Sequence, residues 1–163
     1  MTEQEQSNNG KNGGTPQGHM ARALALAQAA AARGEIPVGA VLVHGPSGDI
    51  IAEAGNLTEE RFDATAHAEM LVLQAGGRKL ASPRLAECDL YVTLEPCPMC
   101  AAAIGFARVR RLYFGAYDPK GGGVEHGPRI YQQPTCHHKP EVYGGIDEQE
   151  AARLLKDFFK DKR

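Results

Sequence analysis

The chain has 163 residues, with 18 lysines and arginines against 20 aspartates and glutamates, and a formal net charge of −2. This length is typical of one domain with a full hydrophobic core. A slightly acidic chain is not a general nucleic-acid coating protein, because such proteins are strongly basic, and no apolar run approaches the roughly 18 residues that a membrane-spanning helix needs.

The first elements along the chain are a polar tail, a helix and a hairpin. Residues 1–18 are rich in Gln, Asn, Gly, Ser and Thr, a composition that predicts a disordered tail. The segment also lacks the apolar core of a signal peptide. Alanine-rich residues 19–33 predict a helix that stops at Gly34. Apolar residues 36–43 and 50–54 flank a Gly-Pro-Ser-Gly turn and predict two strands.

Helices and strands then alternate. Thr65 is expected to cap a helix that ends at Gly76. The later predicted elements are a strand at 89–94, a helix at 98–108, strands at 111–116 and 141–146, and a helix at 148–160 capped by Asp147. This order, without internal repeats, predicts one α/β domain over residues 19–163, with three αβα layers in which helices cover both faces of a mixed sheet of about five strands.

Charge and cysteine content bound the environment. Residues 1–107 carry 7 basic and 12 acidic side chains, and residues 108–163 carry 11 basic and 8 acidic ones. A polyanion is therefore expected to approach the second half, although ordinary solvated faces explain the same distribution. Four cysteines are too few for a disulfide framework in a chain of this size, so we expect a reduced, cytoplasmic protein.

Three residues have the types and spacing of metal ligands. Cys97 and Cys100 lie about one turn apart at the start of a predicted helix, with a proline on each side of Cys97. His67 likewise lies at the start of a predicted helix. The positive end of a helix lowers the pKa of a cysteine thiol placed there, which favours the thiolate that binds metal. His, Cys and Cys leave the fourth tetrahedral position of zinc open, as in catalytic sites. We predict one Zn²⁺ per subunit, although spacing does not exclude iron.

Glu69 is the predicted catalytic residue. It follows His67 by two positions, so its carboxylate can lie beside a water that zinc has acidified to a pKa of about 7. A carboxylate placed there can take the proton of that water and pass it to a ring nitrogen and a leaving amine. His-x-Glu followed by Pro-Cys-x-x-Cys is the arrangement of zinc nucleobase deaminases.

Other interpretations of these residues remain open at this point. A Cys-x-x-Cys pair also serves as a redox centre, which requires neither His67 nor Glu69. A closed structural zinc site needs a fourth ligand, and the candidates are Cys136, His137 and His138. Asn56 lies in the loop that leads to His67, where its amide could read a ring nitrogen and an amino group, but loop asparagines are more often turn formers.

The chain resembles the cytidine-deaminase-like superfamily, and more closely the bacterial tRNA-specific adenosine deaminases, from Met20 to Arg163. The metal motifs, Thr-Ala-His-Ala-Glu at 65–69 and Leu-Glu-Pro-Cys-Pro-Met-Cys at 94–100, indicate only the superfamily. Gly-Ala-Tyr-Asp-Pro-Lys at 115–120 and Asp-Phe-Phe at 157–159 indicate the tRNA enzymes. Ala64 departs from the pattern, since many relatives have proline there.

The resemblance implies a function and a set of roles. The implied reaction is hydrolytic deamination of adenosine to inosine at the tRNA wobble position by zinc-activated hydroxide. The implied partners are the tRNA anticodon loop and a second copy of the chain, as a homodimer with tRNA across both subunits. The implied residues are His67, Cys97 and Cys100 for zinc, Glu69 for proton transfer, Asn56, Ala68 and Pro96 for the base, and Asp118, Lys120, Phe158 and Phe159 as possible RNA contacts.

Two rival functions fit the same motifs. A deaminase of the same fold could act on free guanine, cytosine or a nucleoside, because the metal site performs only the chemistry common to all these enzymes. A zinc-stabilised RNA-binding module without catalysis is the rival of another class, and Glu69 argues against it. The spacing of Phe158 and Phe159 suits the apolar face of a helix and favours a role as core or interface anchors over base stacking, while the lysines and Arg163 around them leave RNA contact open.

Overall fold

A computed structural model describes residues 14–162, so the part of the predicted tail over residues 1–13 lies outside the described residues. The described chain forms four helices, five strands and one 3₁₀ turn. In chain order these are α1 Pro16–Ala32, β1 Gly39–His44, β2 Ile50–Gly55, α2 Ala68–Leu80, β3 Cys88–Leu94, α3 Pro98–Phe106, β4 Arg111–Ala116, the 3₁₀ turn Ile130–Gln132, β5 Glu141–Tyr143 and α4 Glu148–Lys160. None of the described helices is long and apolar enough to cross a bilayer.

The five strands form one mixed sheet in the order β2-β1-β3-β4-β5. β1 is antiparallel to both of its neighbours, whereas β3, β4 and β5 are parallel. The register pairs Gly39 with Gly55 and Ala40 with Val92, so β2 ends near the end of β3. The carboxyl ends of β2, β3 and β4 therefore share one edge, called here the C-terminal edge of the sheet.

Helices cover both faces of the sheet, which confirms the predicted three-layer architecture. α1 and α4 contact each other on one face, and α2 and α3 contact each other on the other face. β1 is buried on both faces, because Ala40 and Leu42 join the core beneath α2 and α3 whereas Val41 and Val43 join the core beneath α1 and α4. This alternation follows from the two-residue period of a strand.

α2 differs from its prediction at both ends. Thr65 does not cap it, because its hydroxyl donates to Asp63 Oδ1 at 2.7 Å, and the N-cap position belongs to His67. The helix also continues through Gly76 to Leu80. A Cβ on Gly76 would lie 2.4 Å from Leu42 Cδ2, so this glycine permits close packing of α2 on β1 and does not stop the helix.

α1 begins three residues earlier than predicted. Thr15 caps it by accepting a hydrogen bond from the Gly18 N–H at 3.1 Å, and Pro16 occupies its first turn. Residues 16–18 are therefore helical and not part of a tail.

The predictions for later elements are closer. β4 and α4 have their predicted bounds, and Asp147 is at the N-cap position of α4, but its side chain makes no capping hydrogen bond. β5 stops at Tyr143 and not at residue 146 because Gly144 and Gly145 follow, with Gly145 at φ 82°. α3 ends at Phe106 and not at residue 108, because Arg108 has a left-handed conformation with φ 59°.

Candidate active site

Two helix N-termini converge at the C-terminal edge of the sheet. His67 is the N-cap residue of α2, and Cys97 is the N-cap residue of α3, which follows β3 after a short connection. Neither side chain makes a capping hydrogen bond, so both are available as ligands. Cys100 lies in the first turn of α3 and is fully buried. The structure thus brings together the three predicted metal ligands.

The distances between these donor atoms fit a zinc ion. His67 Nδ1 lies 3.6 Å from Cys97 Sγ and 3.5 Å from Cys100 Sγ, and all three atoms lie within 4.8 Å of one another. Tetrahedral zinc with bonds of about 2.0–2.1 Å to nitrogen and about 2.3 Å to sulfur separates these atoms by about 3.6 Å. The donor set and its spacing are therefore those of a zinc site.

The segment proposed to supply a fourth ligand does not join this group. Among residues 14–162, His67, Cys97 and Cys100 form the one cluster with metal-binding spacing. His138 instead pairs its Nε2 with the Val109 carbonyl at 2.8 Å, and Cys136 Sγ donates to the His138 carbonyl at 3.2 Å. Within the described chain, the site has three protein ligands and an open position, as a catalytic zinc centre requires.

Of the two thiols, that of Cys97 is prepared for deprotonation. A hydrogen bond from the Cys100 thiol, with a further one from His67, lowers the pKa of Cys97 to about 4 despite partial burial. The same hydrogen bond and burial raise the pKa of Cys100 above its usual value. The pair therefore shares one proton. Cysteine binds a metal as a thiolate, so metal binding would release that proton.

Glu69 is buried beside these ligands, with a relative exposure of 4%. Burial raises the pKa of its carboxyl to about 7, although its own backbone N–H and the nearby His67 oppose the shift. A carboxyl with a pKa near neutrality can both accept and donate a proton at physiological pH. The environment of Glu69 thus suits proton transfer.

A pocket of about 460 Å³ opens over the ligands, within the usual range of about 300–1,000 Å³ for small-molecule sites. Its wall combines apolar side chains, carboxylates and one amide. The lining residues are Ile36, Val38, Asn56, Thr58, Glu59, Ala64, His67, Glu69, Leu94, Glu95, Cys97, Asp118 and Gly121. Such a pocket can accept one flat polar ring.

Asn56 has a fixed orientation in this pocket. Its Oδ1 accepts the Ala68 N–H at 2.8 Å, and the residue is 6% exposed. Among the described residues no acceptor binds its amide nitrogen, so the two N–H groups are available to a ligand. The turn-forming role considered from sequence is absent here, because the side chain bonds a residue twelve positions later.

The remaining predicted residues have different positions. Ala68 and Pro96 are buried, and neither lines the pocket. Asp118 lines it, and its Oδ1 accepts the N–H groups of Lys120 at 3.2 Å and Gly121 at 2.9 Å. Lys120 is exposed on the same loop.

The two phenylalanines of α4 do not line the pocket. Phe158 lies edge-on to Phe159 and carries Lys162 Nζ 5.0 Å above its ring. Phe159 is 46% exposed and Phe158 is half-buried. Both rings are thus accessible, beside a lysine, on a helix apart from the metal ligands.

Glu95 is a site residue that the sequence did not reveal. It is 1% exposed, follows β3 directly and precedes Cys97 by two residues. Its carboxylate accepts five hydrogen bonds, from the backbone N–H groups of Asp118 (3.0 Å), Val124 (3.2 Å), Glu125 (3.0 Å) and His126 (3.2 Å), and from His126 Nδ1 (2.8 Å). This arrangement is called here the Glu95 cradle.

The cradle keeps Glu95 ionised and holds one wall of the pocket. Burial alone would raise the pKa of Glu95, but the hydrogen bonds from residues 118–126 outweigh it and the pKa is lowered. Glu95 thereby holds the segment that contributes Asp118 and Gly121 to the pocket close to the metal ligand Cys97. An acidic residue at the end of a buried strand was the available sequence signal.

Glu35 supports the opposite wall in a similar way. It is 1% exposed, and its Oε1 accepts the Glu59 N–H at 2.7 Å. Glu59 and its neighbour Thr58 line the pocket. Two buried carboxylates therefore hold the two loops on either side of the metal ligands.

Comparison with known proteins identifies the family. The sequence profile of the cytidine and deoxycytidylate deaminase zinc-binding region matches residues 15–116, which include all three ligands and Glu69. The chain belongs to this zinc-dependent deaminase family. Membership confirms the predicted zinc cofactor and the predicted class of enzyme, a zinc-dependent deaminase acting as a hydrolase.

Individual relatives confirm the resemblance to bacterial tRNA-specific adenosine deaminases. The chain is 56% identical over 144 residues to a protein of that name from Agrobacterium fabrum, covering 88% of this chain and 93% of the relative. A solved structure from studies of A-to-I editing by tRNA:A34 deaminases matches with a TM-score of 0.81 and 56% identity, covering 84% of this chain and 98% of that one. Guanine deaminase from Nitrosomonas europaea, at 24% identity, shares the fold, with a TM-score of 0.77 and coverage of 88% and 84%.

Proposed function

We propose that this chain deaminates adenosine to inosine at the wobble position of tRNA. The observation that carries this conclusion is 56% identity over 93% of a tRNA-specific adenosine deaminase, in a chain where His67 and Cys97 of the metal cluster line one pocket with Glu69. The reaction consumes water and releases ammonia from C6 of the base. An unpaired anticodon base suits this chemistry because it needs little energy to leave the stack.

In this proposal His67, Cys97 and Cys100 hold the zinc ion. Zinc there would supply a Lewis acid that lowers the pKa of water and makes a nucleophile available near neutral pH. Glu69 takes one proton of the attacking water and delivers it to N1 of adenine while the water oxygen bonds to C6. Glu69 then takes the remaining proton of that oxygen and delivers it to the 6-amino nitrogen. The C6–N6 bond then breaks, and ammonia leaves. A pKa of about 7 lets Glu69 act in both directions.

We assign recognition of the base to Asn56, whose free amide N–H groups can donate to a ring nitrogen. Ala68 and Pro96, also expected to contact the base, are buried and would act through their backbones. The Ala68 N–H orients Asn56, and the Pro96 carbonyl accepts the Gly123 N–H at 2.8 Å. These bonds keep the amide and the loop after Asp118 in place around a bound ring.

We assign contacts with the anticodon arm to Asp118, Lys120, Phe158 and Phe159. Lys120 is exposed next to Gly121 of the pocket wall and can neutralise a phosphate. Phe158 and Phe159 offer accessible rings beside Lys162, a combination that can stack on bases and hold their phosphates.

We further propose that residues 19–163 form one deaminase domain and that two copies of the chain associate through it as a homodimer in the cytoplasm. Phe106 at the end of α3 is 74% exposed next to an apolar cavity of about 160 Å³, lined in part by Ile130 and Cys136. A second copy of the chain would cover this surface. Phe106→Glu should convert a dimer into a monomer in light scattering, and an unchanged mass would refute this interface.

The free thiols of Cys97 and Cys100 support the proposed cytoplasmic location, because thiols stay reduced in a reducing compartment.

Inosine formation on total tRNA tests the proposed reaction, with free guanine, cytosine, adenine and their nucleosides assayed in parallel. Inosine in tRNA without turnover of free bases is the expected result. Ammonia release from a free base with unchanged tRNA would replace the proposed substrate by the free-base alternative. Bound zinc without turnover of either class would instead support the non-catalytic module.

A further inference from the structure

A second cavity, of about 290 Å³, lies at the end of β2 and is lined by three arginines. Arg33 follows α1, Arg61 lies in the loop before α2, and Arg78 lies in α2. The other lining residues are Glu53, Ala54, Gly55, Leu57, Leu71, Gln74 and Ala75. This space is called here the arginine cavity.

The arginine cavity has a net positive charge. Its one carboxylate, Glu53, is already neutralised, because Arg22 donates to it from outside the cavity at 2.8 and 2.7 Å. Within residues 14–162, none of the three lining arginines forms an ion pair, and the hydrogen bond from Arg33 Nη2 to the Asn56 carbonyl is long, at 3.5 Å.

Asp63 is an acidic group close to Arg61 of this cavity. The charge of Arg61 contributes weakly to lowering the pKa of Asp63, whose carboxylate is bonded mainly to the hydroxyl and N–H of Thr65. Asp63 therefore does not neutralise the cavity. Three guanidinium groups remain available to an anion.

The cavity lies directly behind the wall of the metal pocket. Residues 55–59 separate the two spaces: Gly55 and Leu57 line the arginine cavity, and Asn56, Thr58 and Glu59 line the metal pocket. Asn56 contacts both sides, since its carbonyl accepts from Arg33 and its side chain faces the pocket. A group bound among the arginines would thus lie one backbone thickness from the proposed base site.

We propose that the arginine cavity binds a backbone phosphate of the substrate RNA next to the reacting adenosine. This inference rests on the proposed function. Arginine matches phosphate with paired N–H donors, and phosphate contacts set the position of a nucleic acid without reading its sequence. The cavity therefore acts as a positioning site that fixes the strand while the adenine enters the metal pocket.

The test uses the double variant Arg33→Gln/Arg78→Gln, which leaves the active-site loop and its Arg61 intact. The control is Arg84→Gln/Lys139→Gln, which removes the same charge. Both control residues precede the N-terminal ends of the parallel strands β3 and β5, at the edge opposite the metal ligands. Circular dichroism would establish that both variants are folded.

Affinity for tRNA is measured by fluorescence anisotropy at several salt concentrations. Each phosphate contact in a single strand contributes about 0.7 to the slope of log affinity against log salt, so loss of the one proposed contact should lower that slope by about 0.7 and weaken tRNA binding about tenfold at low salt. KM should rise with kcat unchanged. Arg33→Lys/Arg78→Lys should restore most of the slope, because it restores the charge.

Three outcomes would overturn the inference. The cavity variant could retain the wild-type slope and affinity, or the control variant could lose as much as the cavity variant. The cavity could also take a free anion, in which case inorganic phosphate would raise the melting temperature of the wild type more than that of the variant while tRNA binding stayed equal. Binding does not require turnover, so a wild type that binds tRNA without forming inosine would refute the reaction and still test the cavity.

Discussion

Glu69 and Glu95 are buried carboxylic acids in the wall of the metal pocket, with relative exposures of 4% and 1%, yet their pKa values shift in opposite directions. Burial raises the pKa of Glu69 to about 7. Glu95 is buried at least as deeply, but the donors of its cradle outweigh the effect of burial and lower the pKa. The hydrogen-bond donors of the cradle thus distinguish a structural anion from a proton carrier whose pKa is set mainly by burial.

The largest expected effect is a loss of turnover on substitution of Glu69, the carboxyl whose burial few hydrogen bonds offset. Glu69→Gln removes the group that moves the proton, and we expect inosine formation to fall by about 10²–10⁴-fold. Zinc content, measured by elemental analysis, should equal that of the wild type, because Glu69 is not a ligand. A variant with wild-type turnover would contradict the assigned role.

For Glu95, whose burial is offset by the hydrogen bonds of its cradle, the expected effect of substitution is a loss of stability. Glu95→Gln places an amide N–H₂ group among five donors and leaves part of the cradle unbonded, so we expect unfolding in urea to require on the order of 3 kcal/mol less free energy. Glu141→Gln is the matched control, since Glu141 is exposed and bonded to Arg111 at the surface. It should change stability little. Equal losses in both variants would remove the distinction drawn above.

The stabilisation by Glu95 should depend on pH. A lowered native pKa means that the ionised carboxylate stabilises the fold above its ordinary value of 4.5, and that this contribution is lost as the pH falls through the native pKa. The difference in unfolding free energy between the wild type and Glu95→Gln should be constant near neutrality and shrink below pH 4.5. A difference that grew on acidification would reverse the sign of the shift.

The smallest expected effect comes from a single donor of the cradle. His126→Ala removes the side-chain bond to Glu95 but keeps the four backbone donors, so a loss of about 1 kcal/mol or less is expected in the same urea assay. His44→Ala, which breaks an exposed contact with Glu87, is the control and should have a smaller effect. The reverse order would show that the ring of His126 is not a significant part of the cradle.

The metal site was predictable because its information is local. His67 with Glu69, and Cys97 with Cys100, each lie within one helical turn, and the preceding apolar segments place both helices at one edge of a sheet. The bounds of β4 and α4 were predicted correctly for the same reason, since their patterns are strong and bounded by clear turns. The end of α2 was predicted wrongly at Gly76, because the reason for a glycine there is the close approach of Leu42, which lies in β1 and is distant in sequence.

The supporting structure around the metal was not predictable, because its partners are distant in sequence. The donors to Glu95 lie 23 to 31 residues away, on a segment that the sequence indicated only as a loop. Likewise, Arg33, Arg61 and Arg78 belong to the half of the chain with excess acidic residues, and only the fold gathers them in one cavity. Average charge over a segment says little about charge at one place.

The position of the donors to Glu95 also has a consequence for the order of assembly during synthesis. The ribosome has made all three metal ligands once Cys100 is complete, but the last donor to Glu95 belongs to His126. The chain must therefore grow by a further segment that includes β4 before the second wall of the pocket can close. A nascent chain that carries every ligand still lacks the enclosure that surrounds the substrate.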